Sequence, residues 1–196
     1  MTALRDYFDR IITIQKQLDY FFPQIVRPPA DEQLIAQTEK TLGFKFNSEL
    51  RELYSIADGT DPNTNEPLGK IGLIPIHIFL NLESAIEHYK IQIQFTDSFV
   101  IWETNFKTDK KLFPFLYDGA GNFYWVDLND NSENYGKIFW TNTFGEDPAY
   151  LFNSLTKFFQ VICDSYETSV MGLDKLGHLE CDYDLFEQIS KKHNRS

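Results

Sequence analysis

The sequence predicts an α+β fold in a single domain, a mainly antiparallel sheet flanked by N-terminal helices and a C-terminal helix. Three observations predict it. Up to about residue 60 the apolar residues recur at helical spacing. From residue 99 they gather into short aromatic and β-branched runs bounded by glycine and polar residues. A helical stripe then returns near residue 150, and no break in composition marks a second domain. Strands joined by such short turns pair antiparallel. The 196 residues, 16% of them aromatic, supply a core that needs no staple.

Taken in order, residues 3–22 place Leu4, Tyr7, Phe8, Ile11, Ile12 and Leu18 on one helical face, until Pro23 and Pro28-Pro29 break the pattern. A second helix follows Asp31, a good N-cap. Glu32 sits in its positive first turn, Leu34, Ile35 and Leu42 face inward, and Gly43 ends it. A third helix is capped by Asn47 or Ser48, has Leu50, Leu53, Tyr54 and Ala57 as its stripe, and ends at Gly59. The loop TDPNTNEPLG is dense in turn formers. IGLIPIHIF is β-branched, but Pro75 cannot donate to a ladder, so it reads as an edge strand or a short strand with a break. Asn81 caps a helix carrying Leu82, Ala85, Ile86 and Tyr89. The runs FVIW, LFPFLY, FYWVDL and KIFWT read as strands. The last strong element, PAYLFNSLTKFFQVIC, reads as a helix led by Pro148, with Leu151, Phe152, Leu155, Phe158, Phe159 and Ile162 as its stripe. A short helix is expected around YDLFEQISKK.

The charge balance, 18 basic residues against 29 acidic for a net of −11, argues against a nucleic-acid partner and an anionic membrane surface. A basic protein is the better electrostatic match. Cys163 and Cys181 make no disulfide framework, and Cys163 falls on an apolar stripe. The opening MTALRDYFDRIITIQ interrupts its apolar residues with acids, unlike a signal peptide, and no apolar run is long enough to span a bilayer. The expected setting is a reducing cytoplasm.

No motif for chemistry survives its context. Gly119 and Gly121 fit the first two positions of a dinucleotide loop, but Tyr124 stands at the third and a strand follows where a helix is required. Asp118, Gly119, Gly121 and Asn122 instead form the corner of a hairpin. DLNDNSENYGKI starts like a calcium loop at Asp127, Asn129 and Asn131 but has Ser132 at the sharp turn and Ile138 where a bidentate glutamate belongs. DPNTNEPLGKIG fails likewise at Glu66 and Gly72. The histidines show no zinc spacing. No catalytic residue, metal site or cofactor is expected. The acids with no local explanation lie in loops, at Asp58, Asp61, Glu66, Asp130 and Glu133. With Glu146 and Asp147, whose charge a following helix dipole favours, they are the candidate partner-binding residues.

Read end to end, the chain resembles the SUKH superfamily, the Smi/Knr-like proteins. The resemblance is carried by PPADEQLIAQTEKTLGFKFNSELRELYSIADG, with Glu39, Leu42-Gly43 and Asp58-Gly59, and by FPFLYDGAGNFYWVDLN, with Asp127. GKIFW and YLFNSLTKFFQVI resemble the later strand and closing helix. It covers roughly residues 26–164, leaving an extra N-terminal helix and a tail, and Phe46 stands where the family usually has proline. The resemblance implies an α+β domain with no common catalytic residues. It also implies a protein partner. Many bacterial members are immunity proteins that neutralise polymorphic toxins, often nucleases; fungal members are regulatory or scaffold proteins. The leading expectation is a cytoplasmic immunity protein that occludes a basic toxin domain, with a regulatory adaptor as the alternative. An enzyme would require a metal or acid dyad assembled from distant residues.

Overall fold

A computed structural model of the chain describes residues 2–95, 111–143 and 148–194. The expected strand at 99–102 and the acids Glu146 and Asp147 lie outside the described residues. The N-terminal half is helical: α1 (Ala3–Gln17), α2 (Phe22–Ile25), α3 (Glu32–Leu42), α4 (Ser48–Ile56), α5 (Leu68–Ile71), then, after β1 (Ile78–Phe79), α6 (Leu82–Phe95). Strands β2 (Leu112–Tyr117), β3 (Phe123–Asp127), β4 (Ile138–Thr141) and β5 (Ala149–Phe152) follow. The chain closes with α7 (Leu155–Glu167), a hairpin of β6 (Met171–Leu173) and β7 (Leu179–Cys181), and α8 (Tyr183–Asn194).

The starts of α3, α4 and α6 obey their local signals, whereas α4 ends at Ile56, with Ala57 already extended, and not at Gly59. The Asp31 carboxylate accepts the Leu34 N–H at 2.7 Å, and Asn47, rather than Ser48, accepts the Leu50 N–H at 2.8 Å. Asn81 accepts the Ser84 N–H at 2.9 Å and so caps α6. Leu34 departs from expectation. It is 40% exposed, and the inward face of α3 runs through Ile35, Thr38 and Glu39. The buried Glu39 turns the helix that way: it accepts from the Phe46 N–H at 3.1 Å and Lys45 at 2.8 Å, and it pairs with Arg51. Burial raises the Glu39 pKa, but the hydrogen bonds from Lys45, Arg51 and the Phe46 N–H together outweigh it and hold the carboxyl below its ordinary range.

The larger sheet is an antiparallel meander in the order β1-β2-β3-β4-β5. Its β2–β3 corner is the expected hairpin turn. The Asp118 carboxylate accepts the Ala120 N–H at 2.8 Å and the Asn122 N–H at 2.9 Å, while Gly121 takes a φ of 103°, open to glycine alone at no steric cost. Pro114 sits inside β2, but β1 reaches only Leu116 and Tyr117, so no ladder partner meets it on that side. One face of the sheet presents Phe113, Phe115, Val126 and Ile138 to the main core. There α7 crosses it, with Phe158 edge-on to Phe115 at 5.4 Å and to Phe152 at 5.1 Å. Next to α7 lies α1, which buries Leu4, Phe8 and Ile11; the Phe8 and Phe159 rings are 5.7 Å apart.

The C-terminal region corrects one expectation and adds an element. Residues 149–152 are a strand, not the first turn of the closing helix, which begins at Leu155 behind a Ser154 cap that accepts the Lys157 N–H at 3.2 Å. Phe152 and Tyr150 pair with Ile138 and Phe139, giving β4 a partner that a helix could not give. The β6–β7 hairpin was not expected. The tail helix was, and α8 docks on α7 through His193 Nε2 and Asp164 at 2.7 Å. Its Asn194 side chain also reaches the edge strand, donating to the Leu151 carbonyl at 3.2 Å.

The Pro75 break resolves as a tight turn ahead of a two-residue edge strand. The His77 N–H donates to the Ile74 carbonyl at 3.0 Å, and Ile76 takes a φ of 59° at the corner while remaining 48% exposed. A β-branched residue there is strained by roughly 1–2 kcal/mol. Ile76→Asn, which tolerates that conformation, is expected to stabilise the protein by about 1 kcal/mol, a rise in Tm of about 2–4 °C. An unchanged or lower Tm in a thermal melt would show that the Ile76 side chain contributes more than its backbone costs.

Candidate partner-binding surface

The loop acids divide by what they meet. Asp58 is only 4% exposed. Its Oδ1 accepts the Leu82 N–H at 2.9 Å, its Oδ2 pairs with Arg27 at 3.2 Å, and its backbone N–H donates to the Pro28 carbonyl at 3.1 Å. Burial raises its pKa, opposed by the Leu82 N–H and by Arg27. Its carboxylate therefore works inside the fold: with Asn81 it covers two of the N–H groups that open α6. Asp130 is exposed beside Lys111 at 3.5 Å, and Glu133 is exposed on the same β3–β4 loop.

Asp61 and Glu66 lie on the loop between Thr60 and α5. Among the described residues neither pairs with a lysine, arginine or histidine. Asp61 Oδ1 accepts the Asn63 N–H at 2.9 Å, which orders the turn. Both residues border a groove of about 260 Å³ whose apolar lining includes Leu68, Ile71, Ile78 and Phe79, with Ser84 of α6 on its far side. The fold places this groove and the β3–β4 loop at opposite ends of the sheet. Leu68 stands by Gly119 at the β2–β3 corner, whereas Asp130 faces Lys111 at the start of β2. Strand β2, at roughly 3.3 Å per residue, separates them by about 17–20 Å. The acids thus form two patches, not one. Nothing local in the sequence marks Leu68, Ile71 and Phe79 as one surface, because three separate segments supply them and Ser84.

A second groove, of about 410 Å³, runs between α3 and α6 and includes Leu34, Thr38, Ile86 and Glu87, with Arg27 and Asp58 at one end. The exposed Leu34 belongs to it. The two thiols are poorly suited to nucleophilic work: burial pushes Cys163 up to about 12 and Cys181 up to about 11. Among the described residues no group of three or more histidine, cysteine, aspartate or glutamate side chains comes together to hold a metal, and no helix is long and apolar enough to cross a membrane.

Comparison with protein families finds that the model described as SMI1 / KNR4 family (SUKH-1) matches residues 29–161, most of the chain. No curated protein matches. The matched span starts just before α3, takes in residues 57–60, where the chain passes from α4 toward the sheet, and ends within α7; α1, α2, the β6–β7 hairpin and α8 lie outside it.

Substitutions at two positions, Asp58 and Gly59, test that passage. Asp58→Ala leaves the Leu82 N–H and Arg27 without their partner and is expected to cost about 1–3 kcal/mol, whereas Asp58→Asn keeps an acceptor and costs less than half as much. Equal losses in chemical denaturation would remove the capping role. At Gly59 φ is 65°, and an added Cβ would stand 2.2 Å from the Asn81 backbone nitrogen. Gly59→Ala is therefore expected to lose at least about 3 kcal/mol or to fail to fold, read by circular dichroism and thermal melting. A stable Gly59→Ala protein would contradict the close approach.

Proposed function

The chain belongs to the SMI1/KNR4 family (SUKH-1), and on that premise we propose that it is an immunity protein that binds and neutralises a cognate toxin domain. The family match is the observation that carries this reading. The net charge of −11 supports a basic partner, with a nuclease as the class of toxin that such a surface would complement. The proposed mechanism is stoichiometric occlusion without turnover. The acids Asp61, Glu66, Asp130, Glu133, Glu146 and Asp147 supply negative charge where the toxin would otherwise meet phosphate, and Asp58 holds the chain that leads into the loop of Asp61 and Glu66. Such a protein acts in the cytoplasm of the cell it protects.

The test is co-purification with any toxin domain encoded beside this chain, in an inactive form. A one-to-one complex, with toxin activity lost on mixing, is the expected result. Absence of a complex with any neighbouring product would transfer the reading to a regulatory adaptor that binds a host protein. The charge component has its own readout. Exposed charges are screened within about 10 Å at 0.1 M salt, so affinity is expected to fall about tenfold between about 0.05 and 0.5 M salt. An affinity indifferent to salt would remove the charge component and leave occlusion by shape alone.

A further inference from the structure

Asp61 and Glu66, beside the groove at α5, have no lysine, arginine or histidine partner among the described residues; Glu133 shares that property, but these two also border a groove with apolar residues in its lining. Glu39, Asp58 and Asp130 each meet an arginine or lysine of this chain, at 2.8 Å for Lys45, 3.2 Å for Arg27 and 3.5 Å for Lys111. Asp61 and Glu66 meet none among the described residues, and no lysine or arginine lines the groove they border. The lining mixes the apolar Leu68, Ile71, Ile78 and Phe79 with the polar Thr60 and Asn81. Ile71 and Phe79 are buried under it, and Leu68 offers an apolar surface that is 37% exposed. Thr64 and Ser84 contribute hydroxyl groups at the rim.

A partly apolar lining with an acidic rim suits a side chain of matching construction, a long aliphatic stem ending in a fixed positive charge. Arginine fits this best. Its guanidinium stays charged, loses less hydration than an ammonium, and offers donors to two carboxylates at once. A groove of about 260 Å³ accommodates one such side chain rather than a helix. We propose that this groove is the receptor for a single arginine side chain presented by a basic protein partner, with Asp61 and Glu66 holding the guanidinium and Leu68 covering the stem. The identity of that partner as a toxin rests on the function proposed above; the groove's preference for a cationic side chain does not.

The experiment has two arms, both on the full chain. In the first, the isotopically labelled protein is titrated with acetyl-Gly-Arg-Gly-amide and, separately, with the citrulline analogue, which has the same shape without the charge. The arginine peptide is expected to give saturating amide shifts confined to residues 61–71 and 78–84, at least fivefold tighter than citrulline. Asp61→Asn/Glu66→Gln is expected to abolish the difference. Both positions lie on the surface loop, and the amide introduced by Asp61→Asn retains a carbonyl acceptor for the Asn63 N–H, so an unchanged Tm serves as the folding control. In the second arm, Asp61→Asn/Glu66→Gln is expected to weaken binding of the inactive toxin domain at least tenfold. The charge-matched control Asp9→Asn/Glu180→Gln, on α1 and β7, is expected to change it twofold or less. Equal shifts with both peptides, shifts outside the groove, or unchanged toxin affinity in the groove variant would each overturn the proposal. Should the wild-type chain not bind the toxin at all, the immunity reading fails by itself and the peptide arm decides the groove.

Discussion

At residues 57–60 the chain passes between the N-terminal helices and the start of the sheet, and almost every polar group on it is taken by a different element. The Arg27 N–H donates to the Gly59 carbonyl at 2.9 Å, and the Asp58 N–H donates to the Pro28 carbonyl at 3.1 Å, on the helical side. On the sheet side the Thr60 N–H and hydroxyl both donate to the Phe79 carbonyl, at 2.9 and 2.8 Å, and Asp58 receives the Leu82 N–H. Gly59 lets the two backbones approach closer than any side chain allows. The direction of α6, the position of β1 and the exit of α4 all follow from this crossing. Buried backbone groups must be paired, and here they are paired only if all three segments are in place.

From that anchor the sheet extends as a meander, and its outer strands are each closed in a different way. The Phe79 carbonyl of β1 is taken by Thr60, so that edge ends at the crossing itself. At the other side β5 is met by the last turn of α8, whose Asn194 also accepts the Asn153 N–H at 3.1 Å. The tail therefore acts as a cover for an edge that would otherwise offer unpaired backbone groups. Its attachment joins Phe186 to Phe152, at 6.4 Å, and His193 to Asp164. Outside the family match, α1 thickens the core and α8 closes the sheet.

The acidic composition conceals two populations. Glu39, Asp58, Asp118 and Asp127 are buried and satisfied by the fold; Asp127, for instance, accepts the Tyr150 hydroxyl at 2.6 Å and the Asn129 N–H at 2.9 Å. Carboxylates in such places organise turns and helix starts. Among the described residues others lie nearer the surface, some paired there, as Glu187 is with Lys191 at 2.8 Å, and some, such as Asp61, Glu66 and Glu133, with no cation beside them; these shape the field a partner encounters. Net charge measures the sum and cannot distinguish the two. Burial and pairing do.

Local rules reached far into this molecule because the signals they read are local. Asp31, Asn47, Asn81 and the Asp118–Asn122 turn were legible because a cap or hairpin corner is decided by bonds spanning two to four residues. The aromatic β2, β3 and β4 were legible from their short period and flanking turn formers. PAYLF was not, since its apolar residues fit a helix and a strand alike, and only the exposed edge of β4 selects the strand. Leu34 was misplaced because the Glu39 partners Lys45 and Arg51 lie on the next loop and helix. From the sequence Asp58 is a loop acid with no local explanation, because its partners, Arg27 and Leu82, are 31 and 24 positions away in the chain. The sequence by itself determined most of the elements, the caps of α3, α4 and α6, and the family. The tertiary structure alone decided which carboxylates are enclosed and which border a groove, because that depends on segments distant in sequence meeting at one point.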